Sequence, residues 1–390
     1  MDQDRAHSDG NIGASMNLLD LPPSRWEQEI ARLGLPAYRG RQMAHWVFQK
    51  QVTDFSSMTN LPAQIRDLRP ASLTLDMPTI RAVHNSSDGT TKLAIALSDE
   101  AVIESVLIPR KGRLTLCLST QVGCGIGCRF CRTAEMGLIR NLSPGEIVSQ
   151  WILATKLLNS LNPVSIGGES EDSVSLPRID HIVFMGMGEP MANLEALIPA
   201  IQTLTHPSGA DLSPRRITVS TSGLPPKMRL LGKANLGVHL AVSLTAPDDR
   251  LRQEIMPVGR VYPIREILEE CRNFPLKPRE RITFEYVLLK GINDSQDQAR
   301  ALGRLLAPFK SKVNLIPFNP FEGSPYSRPS EESVEAFGKI LSSYHLTATV
   351  RKTMGQDIRA ACGQLARDEK TTKLHTKGES IQWIQTARSS

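Results

Sequence analysis

The sequence predicts an α/β protein: an open partial (β/α)6 barrel behind a small helical N-terminal domain. Three observations predict it. Between residues 114 and 343, short apolar runs alternate with helical stretches, the pattern of a parallel sheet with right-handed crossovers. The repeating units number six, too few for the eight that close a TIM barrel. Upstream, residues 21–80 read as largely helical and are broken by Pro62 and Pro70.

The first twenty residues, MDQDRAHSDGNIGASMNLLD, carry several acids and no apolar core. They resemble neither a signal nor a transit peptide and read as a disordered tail. Ser24, with Glu27 three residues on, fits a helix start with a capping box, and Leu33-Gly34 ends that helix. A second helix is expected from about residue 40 to 51, with Trp46 and Phe48 in the core rather than stacking on bases. KLAIAL (92–97) and VIESVLI (102–108) read as a strand pair, and Asp88-Gly89 signals a tight turn. Further strands are expected at 114–119, 181–187, 216–222, 238–244, 283–289 and 313–318. Helices are expected at 144–158, 194–204, 263–273, 295–306 and 330–343, the first with Ser143 as its cap and Pro144 in its first turn. Segment 159–178, rich in Ser, Gly and acids, reads as a surface insertion of low order. The expected organisation is therefore a tail (1–20), a helical accessory unit (21–80), a core with its strand pair (81–350) and a C-terminal segment (351–390).

With 390 residues and 40% hydrophobic content, the chain can bury a sizeable core. No run approaches the roughly 18 apolar residues of a membrane span, so no membrane partner is expected. A net charge of +6 permits a polyanionic partner without showing one. Arg39, Arg41 and Lys50 are candidate phosphate contacts.

Six cysteines are present, and three read Cys124-x-x-x-Cys128-x-x-Cys131. Three thiolates at that spacing can hold three irons of a [4Fe–4S] cluster and leave the fourth open to a small molecule. Structural zinc wants four ligands, and a ferredoxin uses four cysteines per cluster. A disulfide framework belongs to small secreted chains. Thiols that must ligate iron imply a reducing compartment, the cytoplasm. MGMGEP (185–190) ends the second strand of the alternating region, where such sheets bind ligands, though Gly-x-Gly is weak by itself. Glu104, read from its own strand, is a surface carboxylate, and Cys271 is a buried structural cysteine.

Taken together, CLSTQVGCGIGCRFCRTAEMGLIRNL, MGMGEP, STSG, SLTAP, IPFNPFEGSPY and VRKTMGQDIRAACGQL resemble the RlmN/Cfr family of radical S-adenosylmethionine (SAM) RNA adenine methyltransferases, over residues 21 to 366. The resemblance implies a cluster on Cys124, Cys128 and Cys131 that binds SAM, with SAM contacts at Gly188, Glu189, Ser220, Ser243, Leu244, Thr245 and Asn319. The family usually has His where this chain has Thr245, which cannot titrate near neutrality. The resemblance further implies two SAM molecules per turnover. One methylates Cys362; the other yields a radical that takes hydrogen from the S-methyl group. The resulting methylene adds to adenine, Glu104 accepts the ring proton, and Cys117 attacks Cys362 to release RNA and leave a disulfide. Implied partners are 23S rRNA and tRNA, and an electron donor such as a flavodoxin or ferredoxin system; the implied state is a monomer. FSSMTNLP (55–62) and the AACGQL tail favour carbon 2 of adenine over carbon 8. A different radical SAM reaction, or a basic RNA-binding protein with a structural metal, are the alternatives.

Overall fold

The computed structural model describes residues 15–66, 73–161 and 178–366. Most of the expected 159–178 insertion and the ends of the chain lie outside the described residues. Among the described residues, ten strands form one sheet whose spatial order follows the chain. They are β1 (Thr79–Asn85), β2 (Thr91–Ala96), β3 (Val102–Arg110), β4 (Arg113–Cys117), β5 (His181–Phe184), β6 (Ile217–Thr221), β7 (His239–Ser243), β8 (Ile282–Leu288), β9 (Ser311–Pro317) and β10 (Thr347–Val350). Strands β1 to β4 pair antiparallel, and every pair from β4 to β10 is parallel. The end strands β1 and β10 do not pair with each other, so the barrel is open, as the unit count predicts.

Among the described residues, nine helices longer than four residues accompany this sheet: α1 (Pro23–Arg32), α2 (Tyr38–Phe48), α3 (Pro144–Leu161), α4 (Leu194–Thr205), α5 (Pro225–Ala234), α6 (Asp249–Ile255), α7 (Ile264–Asn273), α8 (Gln296–Leu306) and α9 (Glu331–Ser343). Their apolar faces, such as Ile147 and Ile152 of α3 and Leu197 and Ile201 of α4, join Leu116, Ile182 and Val219 of the strands in one buried cluster. Helix α3 starts as expected. Ser143 Oγ accepts from the Glu146 N–H at 3.2 Å, and Glu146 Oε2 accepts from the Ser143 N–H at 2.9 Å, a reciprocal cap. Cys271 is buried in α7.

Several expectations need correction. Ser24 does not cap α1: the N-cap is Pro22, and Pro23 opens the helix, where a missing N–H costs nothing. Phe48 is buried, but Trp46 is only half-buried and donates its indole N–H to Asn60 Oδ1 at 2.6 Å. The tail expected over 1–20 is not free at its C-terminal end. Leu18 and Leu19 are fully buried, and Asp20 Oδ1 accepts from the Gly145 N–H at 2.8 Å. The apolar pair is too short to stand out in a polar context, yet it fills the space beside the start of α3. The same buried cluster contains Trp26, Ile30, Met43 and Phe48, so α1 and α2 share a core with the barrel. Arg41, whose side chain is mostly exposed, pairs through Nε with Glu27 at 2.6 Å.

Strands β1 and β10 were not expected. Both lie at sheet edges, and β1 is irregular between Ile80 and Ala82. Edge strands carry polar residues and blur the apolar alternation that reveals interior strands. The Asp88-Gly89 turn accordingly joins β1 to β2, with Gly89 at φ 87°. Helices α5 and α6 were also missed. The first opens with Pro225-Pro226, which reads as a breaker but sits where no N–H is needed; the second is short and capped by Asp248.

Candidate active site

The site is built at the carboxyl edge of the parallel strands and inside the barrel. Two cavities meet there. The first, of about 170 Å³, is lined by Cys124, Cys128, Phe130, Cys131, Gly186, Gly188, Glu189, Ser220, Ser222, Ser243, Asn319 and Cys362. The second, of about 390 Å³, occupies the barrel interior and is lined by Cys117, Thr218, Thr283, Glu285, Asn314, Asn319, Arg351 and Cys362. Cys362 lines both, together with Met185, Glu285, Ile316, Asn319 and Arg351; Cys117 lines only the second and the three-cysteine loop only the first.

The cysteine loop leaves β4 and returns before α3. Burial pushes all three thiols up, Cys124 to about 12. Bound cations reverse that preference and deprotonate thiols outright. The three thiols line one cavity; a structural zinc site takes four ligands, whereas three suit a cluster that keeps one iron open. Arg252, fully buried, donates to the carbonyls of Ser222 and Tyr262, and its charge draws the Cys128 thiol down against burial.

Opposite the loop stands the glycine turn after β5. Gly188 adopts φ +99°, and a Cβ there would lie 2.5 Å from the Gln121 side chain, so only glycine fits. Glu189 follows. Its Oε1 accepts from the Met191 N–H at 3.0 Å and its Oε2 from the Ser222 N–H at 2.7 Å. Burial still raises its carboxyl above the usual range, which an approaching ammonium would offset. Ser222 Oγ is buried without a partner. Unspent thiols, a carboxylate wanting a cation and an orphaned hydroxyl around one cavity fit a cluster carrying SAM.

Of the SAM contacts expected from sequence, Gly188, Glu189, Ser220, Ser243 and Asn319 line this cavity. Leu244 and Thr245 do not; both are fully buried. Thr245 takes φ +57°, and its carbonyl accepts from Asn293 Nδ2 at 2.7 Å.

The C-terminal segment brings Cys362 in. After β10 it crosses the open side of the barrel to the β1–β2 turn. Ser86 Oγ donates to Asp357 Oδ1 at 2.5 Å, and the Gly355 N–H donates to Asp88 Oδ2 at 2.7 Å. Beyond, Asn319 Nδ2 donates to the Cys362 carbonyl at 3.1 Å, Arg132 N–H to the Gly363 carbonyl at 2.8 Å and Thr133 Oγ1 to the Leu365 carbonyl at 2.6 Å. Cys117 ends β4, nearly buried, and burial above all pushes its thiol up to about 12. Burial likewise raises Cys362, and the Arg351 guanidinium opposes it. Both cysteines are free thiols here.

Glu104 is not the surface carboxylate its strand suggests. It is 3% exposed, pairs with Lys92 and accepts the Ala366 N–H. It lies beside the Cys362 segment without lining either cavity. Sequence reasoning missed Arg351 and Glu285. Glu285 interrupts the apolar strand TFEYVLL, and Asn314 Nδ2 donates to its carboxylate at 3.1 and 3.2 Å; that lone acid was the available signal.

Comparison with known proteins agrees with this geometry. Residues 118–302 match the radical SAM superfamily model, and residues 16–69 match the ribosomal RNA large subunit methyltransferase N-terminal domain. The chain is 46% identical over 372 residues to the dual-specificity RNA methyltransferase RlmN of Lawsonia intracellularis, covering 94% of this chain and 99% of that protein. It is 42% identical over 362 residues to the protein of the same name from Nitratiruptor sp., covering 90% and 97%. A crystal structure of a radical SAM methyltransferase from Sphaerobacter thermophilus aligns with a TM-score of 0.82 at 41% identity, covering 90% of this chain and 99% of that one.

Proposed function

The chain belongs to the RlmN family of radical SAM methyltransferases, and we propose from that premise that it methylates carbon 2 of adenosine in 23S rRNA and tRNA. The observation that carries this reading is the position of Cys362, shared by the cavity of the three-cysteine loop and the cavity of Cys117.

Cys124, Cys128 and Cys131 would hold a [4Fe–4S] cluster, and Gly188, Glu189, Ser220, Ser243 and Asn319 would hold SAM. When bound, that pair supplies a methyl group and, on one-electron reduction, a carbon radical. Two SAM molecules are used per product, and an external donor such as a flavodoxin or ferredoxin system provides the electron.

Carbon 2 of adenine is not nucleophilic, so it cannot draw a methyl cation from SAM directly. Cys362 therefore accepts the methyl on its sulfur and carries the one-carbon unit towards the base. Glu104 takes the ring proton from the covalent adduct. The Cys117 sulfur then attacks that of Cys362; the carbon–sulfur bond breaks with its electron pair left on the one-carbon unit, which takes up a proton to become methyl, methylated RNA leaves, and a disulfide between the two cysteines remains. Thiol reduction restores both, which fits a reducing cytoplasm. Arg110, Lys312 and Lys352 are exposed at the edge of the second cavity, where the phosphates of an inserted nucleotide would meet them. Among the described residues, no helix is long and apolar enough to cross a membrane. One copy supplies every residue named, which fits a monomer.

Mass spectrometry of nucleosides from 23S rRNA and tRNA, after anaerobic incubation with reduced protein and SAM, tests the assignment. 2-Methyladenosine is expected from both RNAs. 8-Methyladenosine, or no methylated adenosine, would overturn it.

A further inference from the structure

Asn319 stands between the two halves of the site. It follows β9, is buried and lines both cavities. Both ends of its carboxamide are engaged with the C-terminal segment. Its Nδ2 donates to the Cys362 carbonyl at 3.1 Å, and its Oδ1 accepts from Thr353 Oγ1 at 2.9 Å. Thr353, just after β10, in turn accepts from Arg328 Nη1 at 3.2 Å. Arg328, just before α9, is itself anchored. It donates to the carbonyls of Pro317 and Phe318 at 3.2 and 3.4 Å and pairs with Glu331 at 3.4 Å.

The donors in this row of groups point one way. A guanidinium only donates, so the Thr353 oxygen accepts from Arg328 and its hydroxyl proton goes to Asn319 Oδ1. A backbone carbonyl only accepts, so Cys362 requires the NH2 end of the amide. Both ends therefore select the same orientation of Asn319; the flipped amide would set its oxygen against the Cys362 carbonyl oxygen. The selected orientation still leaves one N–H and one lone pair of the carboxamide for a ligand.

We propose that Thr353 is a positioning residue: with Arg328 behind it, its hydroxyl fixes the amide of Asn319 and, through that amide, the place of Cys362 relative to SAM. The proposal rests on SAM in the first cavity and the methyl on Cys362, as proposed above. Asn319 then meets SAM while holding the backbone of the residue that the SAM-derived radical must reach. In that step a hydrogen atom leaves the S-methyl group for the radical carbon, giving 5′-deoxyadenosine and a methylene radical on the sulfur. Reacting atoms have to lie within about 3–3.5 Å for such a transfer. Without the Thr353 hydroxyl the amide is free to turn and Cys362 drifts. The radical then takes hydrogen from some other C–H or S–H bond. SAM binding itself survives, because Gly188, Glu189, Ser220 and Ser243 of the same cavity are untouched.

The test uses full-length protein carrying its cluster, with RNA, reductant and SAM bearing a trideuterated methyl group. Because Cys362 takes its methyl from SAM, the parent should form deuterium-labelled 5′-deoxyadenosine in step with methylated RNA. Thr353→Val is expected to keep the parent's dissociation constant for SAM. Its ratio of 5′-deoxyadenosine to methylated RNA should rise at least about fivefold, the worth of one hydrogen bond, with the excess unlabelled. Before SAM is added, its Cys362 should also be alkylated by iodoacetamide faster than that of the parent. Thr353→Ser, which keeps the hydroxyl, should match the parent in both readouts. If Thr353→Val loses SAM binding, Arg328→Met takes its place with the same expectation; loss of SAM binding in both would overturn the proposal. A parent-like value of either readout in Thr353→Val, or a Thr353→Ser protein that behaves like Thr353→Val, refutes the role of Thr353 alone. Unlabelled 5′-deoxyadenosine from the parent would refute Cys362 as the methyl carrier, and this proposal with it.

Discussion

Cys117 has to act as a thiolate in a place that opposes thiolates. Burial above all pushes Cys117 up to about 12, and Arg351 pulls the other way. The reacting fraction below that value grows tenfold with each pH unit. Adduct resolution measured in single turnover should therefore rise about tenfold per unit between pH 7 and 9, with no plateau in that window. A flat profile would mean that Cys117 is ionised by contacts made only with RNA bound. At this scale the sequence was informative where spacing speaks. Cys124, Cys128 and Cys131 share one cavity, as their positions in the chain suggest. Glu285 and Arg351 were invisible because a lone polar residue in a strand gains meaning only once the face it occupies is known. Leu244 and Thr245 follow Ser243 without lining that cavity, and the left-handed backbone at Thr245 is not readable from the motif.

The C-terminal segment is held as an element, and its first part is clasped by the turn between β1 and β2. Gly355 is the tightest point of that clasp. It adopts φ +67°, and a Cβ there would lie 2.8 Å from the Ala360 Cβ and 2.9 Å from the Thr90 Cγ2. Gly355→Ala is thus strained in backbone and in space, and should lift the segment from the turn. Transfer of labelled methyl from SAM to Cys362 is expected to fall at least about tenfold, on the scale of a displaced reacting group. Reductive SAM cleavage should persist, because Gly355 packs on Asp88, Thr90 and Ala360, none of which lies in the cysteine loop. Equal loss of both would place the clasp upstream of SAM binding. The clasp could not be read from sequence. Its partners, Ser86 with Asp357 and Asp88 with Gly355, are separated by 271 and 267 positions. The interior strands and the helices between them were legible because each buries an apolar face with its own period.

As a whole, the molecule uses the openness of its barrel. Strands β1 and β10 leave a gap, and the segment that spans it carries Cys362 to the boundary between the two cavities. The alternation of strand and helix made the open barrel legible, but not what closes it, since the closing segment has no periodicity of its own. The shared core likewise hid from the sequence: α1 and α2 looked detachable, yet Leu18, Leu19 and Trp26 bury themselves with the barrel. The central claim is that the methyl carbon travels on Cys362 and is let go by Cys117. It is tested most directly by Cys117→Ala protein incubated with RNA, SAM and reductant, digested with nuclease and protease, and analysed by mass spectrometry at the peptide containing Cys362. The account predicts that this peptide carries an adenine nucleotide joined through one added carbon, and that no methylated RNA is released. An unmodified Cys362 peptide alongside fully methylated RNA would contradict it.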